Sequence, residues 1–211
     1  MAETFMAGED MSALQSDFSV AVRAPLVILF VETRGFTRIS EMLEPEVVIA
    51  RLSEFFTLVT SAVVRHQGVV IDVVNDNLIG AFDGEKDAVR AVQAAQDIQR
   101  KFTVVEESWH KQYGIRAATS MGIHCGNAVI GTAPGGKSSG QRHIVGDAVS
   151  VAERLLHRAR AGEFVMSKSV VDALHAAEFA IESEELPPLQ VPRRESIALW
   201  GVPLDTRLDF T

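Results

Sequence analysis

One cysteine, Cys125, stands in 211 residues, so neither an internal disulfide nor a cluster of metal-bound thiolates can be built from this chain. Positive charge is scarce as well. Twenty Lys and Arg face 28 Asp and Glu, a net charge of −8, which argues against nonspecific association with nucleic acid or an anionic membrane surface. No uninterrupted apolar run reaches the roughly 20 residues that a bilayer demands. The N-terminus carries Glu3, Glu9 and Asp10 where a secretory leader would carry positive charge. These absences lead to the expectation of a cytoplasmic protein with no nucleic-acid and no membrane partner. The histidines His66, His110, His124, His157 and His175 are too scattered to form a zinc motif. Neither internal repeats nor a domain boundary can be found.

What is present describes a globular domain: 47% of residues are apolar and 23% charged, in a chain long enough to bury a substantial core. Residues 1–24 mix glycine, serine and acids without sustained periodicity and read as a flexible lead-in or short helix, leaving 25–211 as the folded domain. Leu26 to Val31 is a continuous apolar run suited to a buried strand, ending at Glu32-Thr33-Arg34-Gly35-Phe36-Thr37. Helical spacing of Val48, Leu52, Phe55, Val59 and Ala62 predicts a helix over 44–67, with Pro45 in its first turn. Val69–Val74 and Leu78–Phe82, joined by Asn75-Asp76-Asn77, predict a hairpin. An alanine-rich helix is expected over 87–107. A strand pair is expected at 115–124 and 128–132, turning at His124-Cys125-Gly126-Asn127, with a Gly/Ser loop over 134–140. A helix over 147–160, a strand over 163–166, a helix over 168–176 and strands near 179–184 and 197–202 complete the order. The whole is a mixed α/β sandwich, a sheet covered by helices.

Four segments carry a resemblance. Phe30-Val31-Glu32-Thr33-Arg34-Gly35-Phe36-Thr37 is similar to Phe-Ala-Asp-Ile-x-Gly-Phe-Thr, and Asp72-Val73-Val74-Asn75-Asp76 to Lys-x-x-Gly-Asp. Gly122-Ile123-His124-Cys125-Gly126 matches Gly-Ile-His-x-Gly. Gly146 to Leu155 is close to Gly-Asp-x-Val-Asn-x-Ala-x-Arg-Leu. In this order and spacing, across about residues 25–202, they resemble the class III adenylyl/guanylyl cyclase catalytic domain. The resemblance implies a ferredoxin-like α+β fold with a mixed sheet under helices. It also implies conversion of a nucleoside triphosphate to a 3′,5′-cyclic nucleotide and pyrophosphate.

That chemistry needs carboxylates converging on two divalent ions, Mg²⁺ or Mn²⁺. By the resemblance Glu32 and Asp76 hold the metal positions, with Thr33 beside them. Asp76 matches the family pattern, whereas Glu32 stands where the family has Asp, and its extra methylene moves the carboxylate by over ~1 Å. Gly35, Phe36 and Thr37 would offer backbone amides, and Thr37 a hydroxyl, to a triphosphate. Ser150 and Arg154, four apart on a helix, share a face. Arg154 matches the arginine that stabilises transition-state charge, and a planar guanidinium suits phosphate. Ser150 replaces the ribose-orienting Asn.

At the base-reading positions stand Asp72, where adenylyl enzymes have Lys, and His143, where they have Asp or Thr. An ionised carboxylate only accepts hydrogen bonds, so Asp72 suits the N1 and 2-amino donors of guanine, with His143 donating to the guanine carbonyl. GTP is therefore favoured, then ATP or a pyrimidine triphosphate. Asp72 alternates with Val70 and Val74, so it is expected in apolar company with a partner. Arg193 and Arg194, ahead of the last strand, are candidate contacts for the terminal phosphates. Because both halves of the family's composite site occur in one chain, the resemblance implies a head-to-tail homodimer, with the 134–140 loop near its dimerisation arm. The competing reading is a catalytically degenerate cyclase-homology domain acting as a nucleotide-binding or regulatory dimer, motivated by Glu32, Asp72, His143 and Ser150. A palm-like polymerase or diguanylate-cyclase relationship lacks support, because the chain has no Gly-Gly-Asp-Glu-Phe type turn.

Overall fold

The computed structural model describes residues 21–132, 142–192 and 195–204. The expectations for residues 1–20, the 134–140 loop, Arg193 and Arg194 lie outside the described residues. The central strand, β1 (Val22–Arg34), is apolar on both sides. Val27, Leu29 and Val31 enter one core and Leu26, Ile28 and Phe30 a second, which is why the sequence shows an unbroken run and no alternation. It extends well beyond that run at both ends, and into the expected lead-in, because β4 (Ala118–Thr132) pairs with it from Val22↔Ile130 to Arg34↔Ala118.

Further strands are β2 (Val69–Val74), β3 (Asn77–Phe82), β5 (Arg142–Val145), β6 (Phe164–Ser167), β7 (Glu184–Leu189) and β8 (Ile197–Val202). The sheet runs β2-β3-β1-β4-β6-β8-β7, with β5 paired to β4 off this path. Only β4–β6 is parallel among the pairs, so the sheet is mixed, as expected.

Two helices, α2 (Pro45–Arg65) and α3 (Asp87–Tyr113), cover one face. Their apolar stripes meet over aromatic edges: Phe55 stands T-shaped to Phe102 at 5.6 Å, and Phe102 to Trp109 at 5.5 Å. Such pairs add about 0.5–1.5 kcal/mol each beyond area burial. Asp97 on α3 closes the junction, accepting from Arg65 (3.1 Å), Arg100 (2.8 Å) and Lys101 (3.0 Å), with His66 at 3.3 Å. Burial pushes its carboxyl up, but the His66 and Arg100 bonds outweigh that and hold it below the ordinary aspartate range. By length and composition α2 is apolar enough to cross a membrane, which counting uninterrupted runs did not register. In this fold it lies on the sheet, with Val48, Phe55, Val59, Ala62 and Val63 buried. A short helix, α5 (Lys168–Ala176), adds Val170 and Leu174 to the same core.

The other face carries α4 (Asp147–Arg158), whose Ala148, Ala152 and Leu156 pack over Leu26, Ile28 and Phe30. Here the structure corrects the expected turn at 124–127: those residues are mid-strand in β4, paired to Ile28, Val27, Leu26 and Pro25. The glycines that suggested a turn serve close packing instead. A Cβ on Gly122 would lie 2.2 Å from the Ala152 carbonyl oxygen and 2.3 Å from the Leu156 nitrogen, and one on Gly126 3.0 Å from the Ala148 Cβ. Four apart on a strand, these two glycines form a groove for the small face of α4.

The strand expected near 179–184 lies instead at 184–189, while Phe179 and Ile181 pack onto the main core outside any strand. Pro187 and Pro188 are tolerated because β7 is an edge strand whose register breaks between Leu186 and Leu189. Two elements had no expectation: β5, and α1 (Phe36–Met42) directly after β1.

Candidate active site

Strand register places the carboxylates. Cross-strand partners share a face, so Asn77, Glu32 and Ser120 form one row across β3, β1 and β4. Phe30, two residues back on β1, is flanked by Ile79 and Gly122 in the next row. Asp76 is the residue before Asn77, half-buried in the β2–β3 turn, where Asn75 takes φ 56°. Register thus puts Glu32 and the turn that carries Asp76 at the same end of the sheet. Thr33 points the other way: its side chain is 2% exposed, with Oγ1 unpartnered, so Thr33 can serve an ion at Glu32 only through its main chain.

Two neighbours escaped the sequence reading. The Asn77 Oδ1 is buried without a hydrogen-bond partner, an acceptor beside two carboxylates, and so a place that suits a cation and no further anion. The Asn75-Asp76-Asn77 triplet was its only signal. The second is Arg34. Its Nε stands 3.2 Å from Glu32 Oε1 and donates to Ser120 Oγ at 2.9 Å. Among the described residues no three His, Cys, Asp or Glu side chains converge as a metal cluster. An ion here would take two carboxylates from the protein and its remaining ligands from phosphate and water, the usual habit of Mg²⁺. The donor set fits such an ion.

After β1 the chain turns at Gly35, with φ 89°. A Cβ there would sit 2.8 Å from the Arg116 carbonyl oxygen, so both conformation and space require glycine. The Ile39 amide bonds back to the Gly35 carbonyl at 3.1 Å, starting α1 with Phe36 leaning on the core and Thr37 exposed.

Asp72 departs from expectation. A bulge between Val70 and Asp72 sets Asp72 opposite Ile79, which puts it on the face of Ile71, Phe30 and Glu32 and not on that of Val70. It is half-exposed, and its carboxylate accepts from the Val73 amide at 2.8 Å, so its partner is a neighbouring backbone group, not a buried cation. His143 is exposed on β5 opposite Gly131. Strand β5 lies against β2, and Ile144 packs onto the same core cluster as Val69 and Ile71. The two base-reading candidates therefore stand on neighbouring strands.

Ser150 and Arg154 are both exposed on the outer side of α4, as their spacing predicted. None of the ion pairs among the described residues involves Arg154. Neither residue bonds Glu32 or Asp76 within the chain. Cys125 on β4 lies on the opposite face of the sheet, against the main core, its thiol pushed up to about 12 by burial and by Asp87 against the opposing Ser169 hydrogen bond, which makes it an inert thiol.

Comparison with known proteins agrees with the fold and the motifs. The adenylyl cyclase CyaB from P. aeruginosa superposes with a TM-score of 0.79 at 24% identity, over 91% of this chain and 100% of that one. The guanylyl cyclase Cya2 does so with a TM-score of 0.75 at 24% identity, over 86% and 92%. The class is therefore that of the class III nucleotide cyclase fold. The model of the family described as "Adenylate and Guanylate cyclase catalytic domain" matches residues 21–200, and the chain belongs to that family. Adenylate cyclase 1 of Rhizobium meliloti (strain 1021) is 31% identical over 139 residues, covering 64% of this chain. The chain spans about a fifth of that relative, 21% of its length.

Proposed function

We propose that two copies of this chain form a nucleotide cyclase, each copy supplying half of each site. The observation that carries the reading is the division of the polar groups. Glu32, Asp76 and the unpartnered Asn77 oxygen occupy one end of the sheet, while Arg154 and Ser150 face outward from α4 without bonding them. A second copy packed head to tail would bring one copy's Arg154 to the other's carboxylates.

In this reading Glu32 and Asp76 hold two divalent ions, Mg²⁺ or Mn²⁺. When bound, these lower the pKa of the ribose 3′ hydroxyl and neutralise phosphate charge. The Phe36 and Thr37 amides, in the first turn of α1, bind triphosphate oxygens. Arg154 presents its planar donors to the α-phosphate as charge builds there, and the Ser150 hydroxyl meets the ribose. Asp72 accepts from the base edge and His143 donates to it, which favours GTP over ATP or a pyrimidine triphosphate. Arg193 and Arg194 are proposed contacts of the terminal phosphates.

Purified protein with Mn²⁺ and each of the four triphosphates, with products identified by mass, tests the reading. Cyclic GMP as main product supports it, and no cyclic product from any triphosphate overturns it. A second reading, a domain that binds nucleotide without turnover, is favoured by one observation: Arg34 already pairs the carboxylate of Glu32. It fails if measurable cyclase activity disappears on substitution of Asp76 and Arg154.

A further inference from the structure

Arg34 occupies the position that the family motif leaves free, yet its guanidinium reaches Glu32, strand β4 and the end of α4 at once. It follows Glu32 by two and so shares its face. Its Nε donates to Ser120 Oγ at 2.9 Å, and Ser120 is fully buried and itself donates to the Arg160 carbonyl at 3.0 Å. One terminal nitrogen reaches the carbonyls of Leu156 and Ala159, at 3.4 and 3.3 Å. These lie at the C-terminal end of α4, where a fixed cation satisfies orphan carbonyls and complements the helix dipole. The same guanidinium stands 3.2 Å from Glu32 Oε1, with the Glu32 side chain only 14% exposed. Arginine does not lose its proton in proteins, so this charge is permanent. The longer arm of Glu32 makes the pairing possible, since an aspartate would fall short by over ~1 Å.

Resting on the reading of Glu32 as a metal ligand, we infer that Arg34 is a positioning residue that ties Glu32 to the end of α4 and competes with a divalent ion for its carboxylate. Glu32 is held in a defined place before the ion arrives. Binding of the ion draws the carboxylate from Arg34, which leaves the guanidinium wholly to Ser120 and to the helix that carries Arg154. The metal half and the α4 half of one chain are thereby linked through a single side chain.

The test is Mn²⁺ titrated into the full chain without nucleotide, free ion being counted by its EPR signal, alongside kcat and KM. Arg34→Gln should bind Mn²⁺ about twofold to fivefold more tightly, the upper range for losing one partly exposed ion pair, while kcat falls. Arg34→Lys, which keeps the charge but cannot serve Ser120 and the two carbonyls from separate nitrogens, should leave Mn²⁺ affinity near that of the parent and lower kcat. In a Glu32→Asp background, Arg34→Gln should leave Mn²⁺ affinity unchanged, because the shorter acid no longer reaches. Ser120→Ala frees Nε for Glu32 and should weaken Mn²⁺ binding, a test that stands if Arg34→Gln does not fold. Unchanged Mn²⁺ affinity in both Arg34→Gln and Ser120→Ala overturns the inference. So does an equal gain from Arg34→Gln in the Glu32→Asp background and in the parent chain. If Asp76→Ala leaves Mn²⁺ binding intact, the two-carboxylate reading fails, and the inference with it. Binding that is lost in Asp76→Ala yet indifferent to Arg34 removes the inference alone.

Discussion

The two faces of the sheet are built on opposite terms. Under α2 and α3 the charges are largely neutralised within the chain, although Arg51 Nε, His110 Nδ1 and Thr33 Oγ1 are left without partners: Asp97 draws in four cationic or histidine side chains, and Trp109 Nε1 donates to Glu54 at 2.9 Å above a stack of aromatic edges. At the α4 end, Asn77 Oδ1 is buried without a partner, and Arg154 and Ser150 stand out toward solvent. The first face secures the fold, and the second carries the groups proposed to meet a ligand and a second copy of the chain.

This contrast can be broken in order of expected effect. Phe55→Ala, at 0% exposure in the aromatic cluster, should cost about 3–5 kcal/mol in urea unfolding. Arg154→Ala should do the reverse. Being exposed, it should leave the urea midpoint unchanged while cyclase kcat falls by about 10²–10³-fold, as for loss of one preorganised transition-state donor. Equal loss of stability and activity in Arg154→Ala would dissolve the distinction between the faces. Gly122→Ala sits on the boundary: its Cβ meets α4 backbone at 2.2 Å, which no side-chain rotation relieves. It should cost about 3 kcal/mol, at the upper end for overpacking, and take activity with it by shifting Arg154.

The smallest effect concerns Asp97. Its folded pKa is depressed below the ordinary 3.8, so its contribution is fully present above that value and is lost as pH falls through the folded pKa. Asp97→Asn should lower stability by about 1 kcal/mol at neutral pH, and the gap between variant and parent, followed by thermal unfolding from neutral to strongly acidic pH, should close below 3.8.

Much of this was legible in order and spacing. Helix α2 followed from its apolar stripe and Pro45, the β2–β3 hairpin from its Asn/Asp turn, and α5 and β8 from local pattern, with bounds as expected. Glu32, Asp76 and Arg154 stood out as candidates because each sits inside a motif similar to the family's, with Glu32 a departure from it. The misreadings share a cause. Gly122 and Gly126 read as a turn because glycine breaks strands locally, whereas here their missing side chains admit a helix remote in sequence. Asp72 was set on the wrong face because a bulge shifts the alternation by one residue.

The sequence by itself determined the family, most of the order of elements and the candidates for holding metal and phosphate, because periodicity and motif spacing are local properties of a chain. Only the tertiary structure decided that Asn77 stands across from Glu32, that Arg34 joins Glu32 to the end of α4, and that Asp72 turns toward the side of the carboxylates. Those are matters of strand register and helix seating. They are set by which apolar faces bury together, between residues as far apart as Arg34 and Ala159.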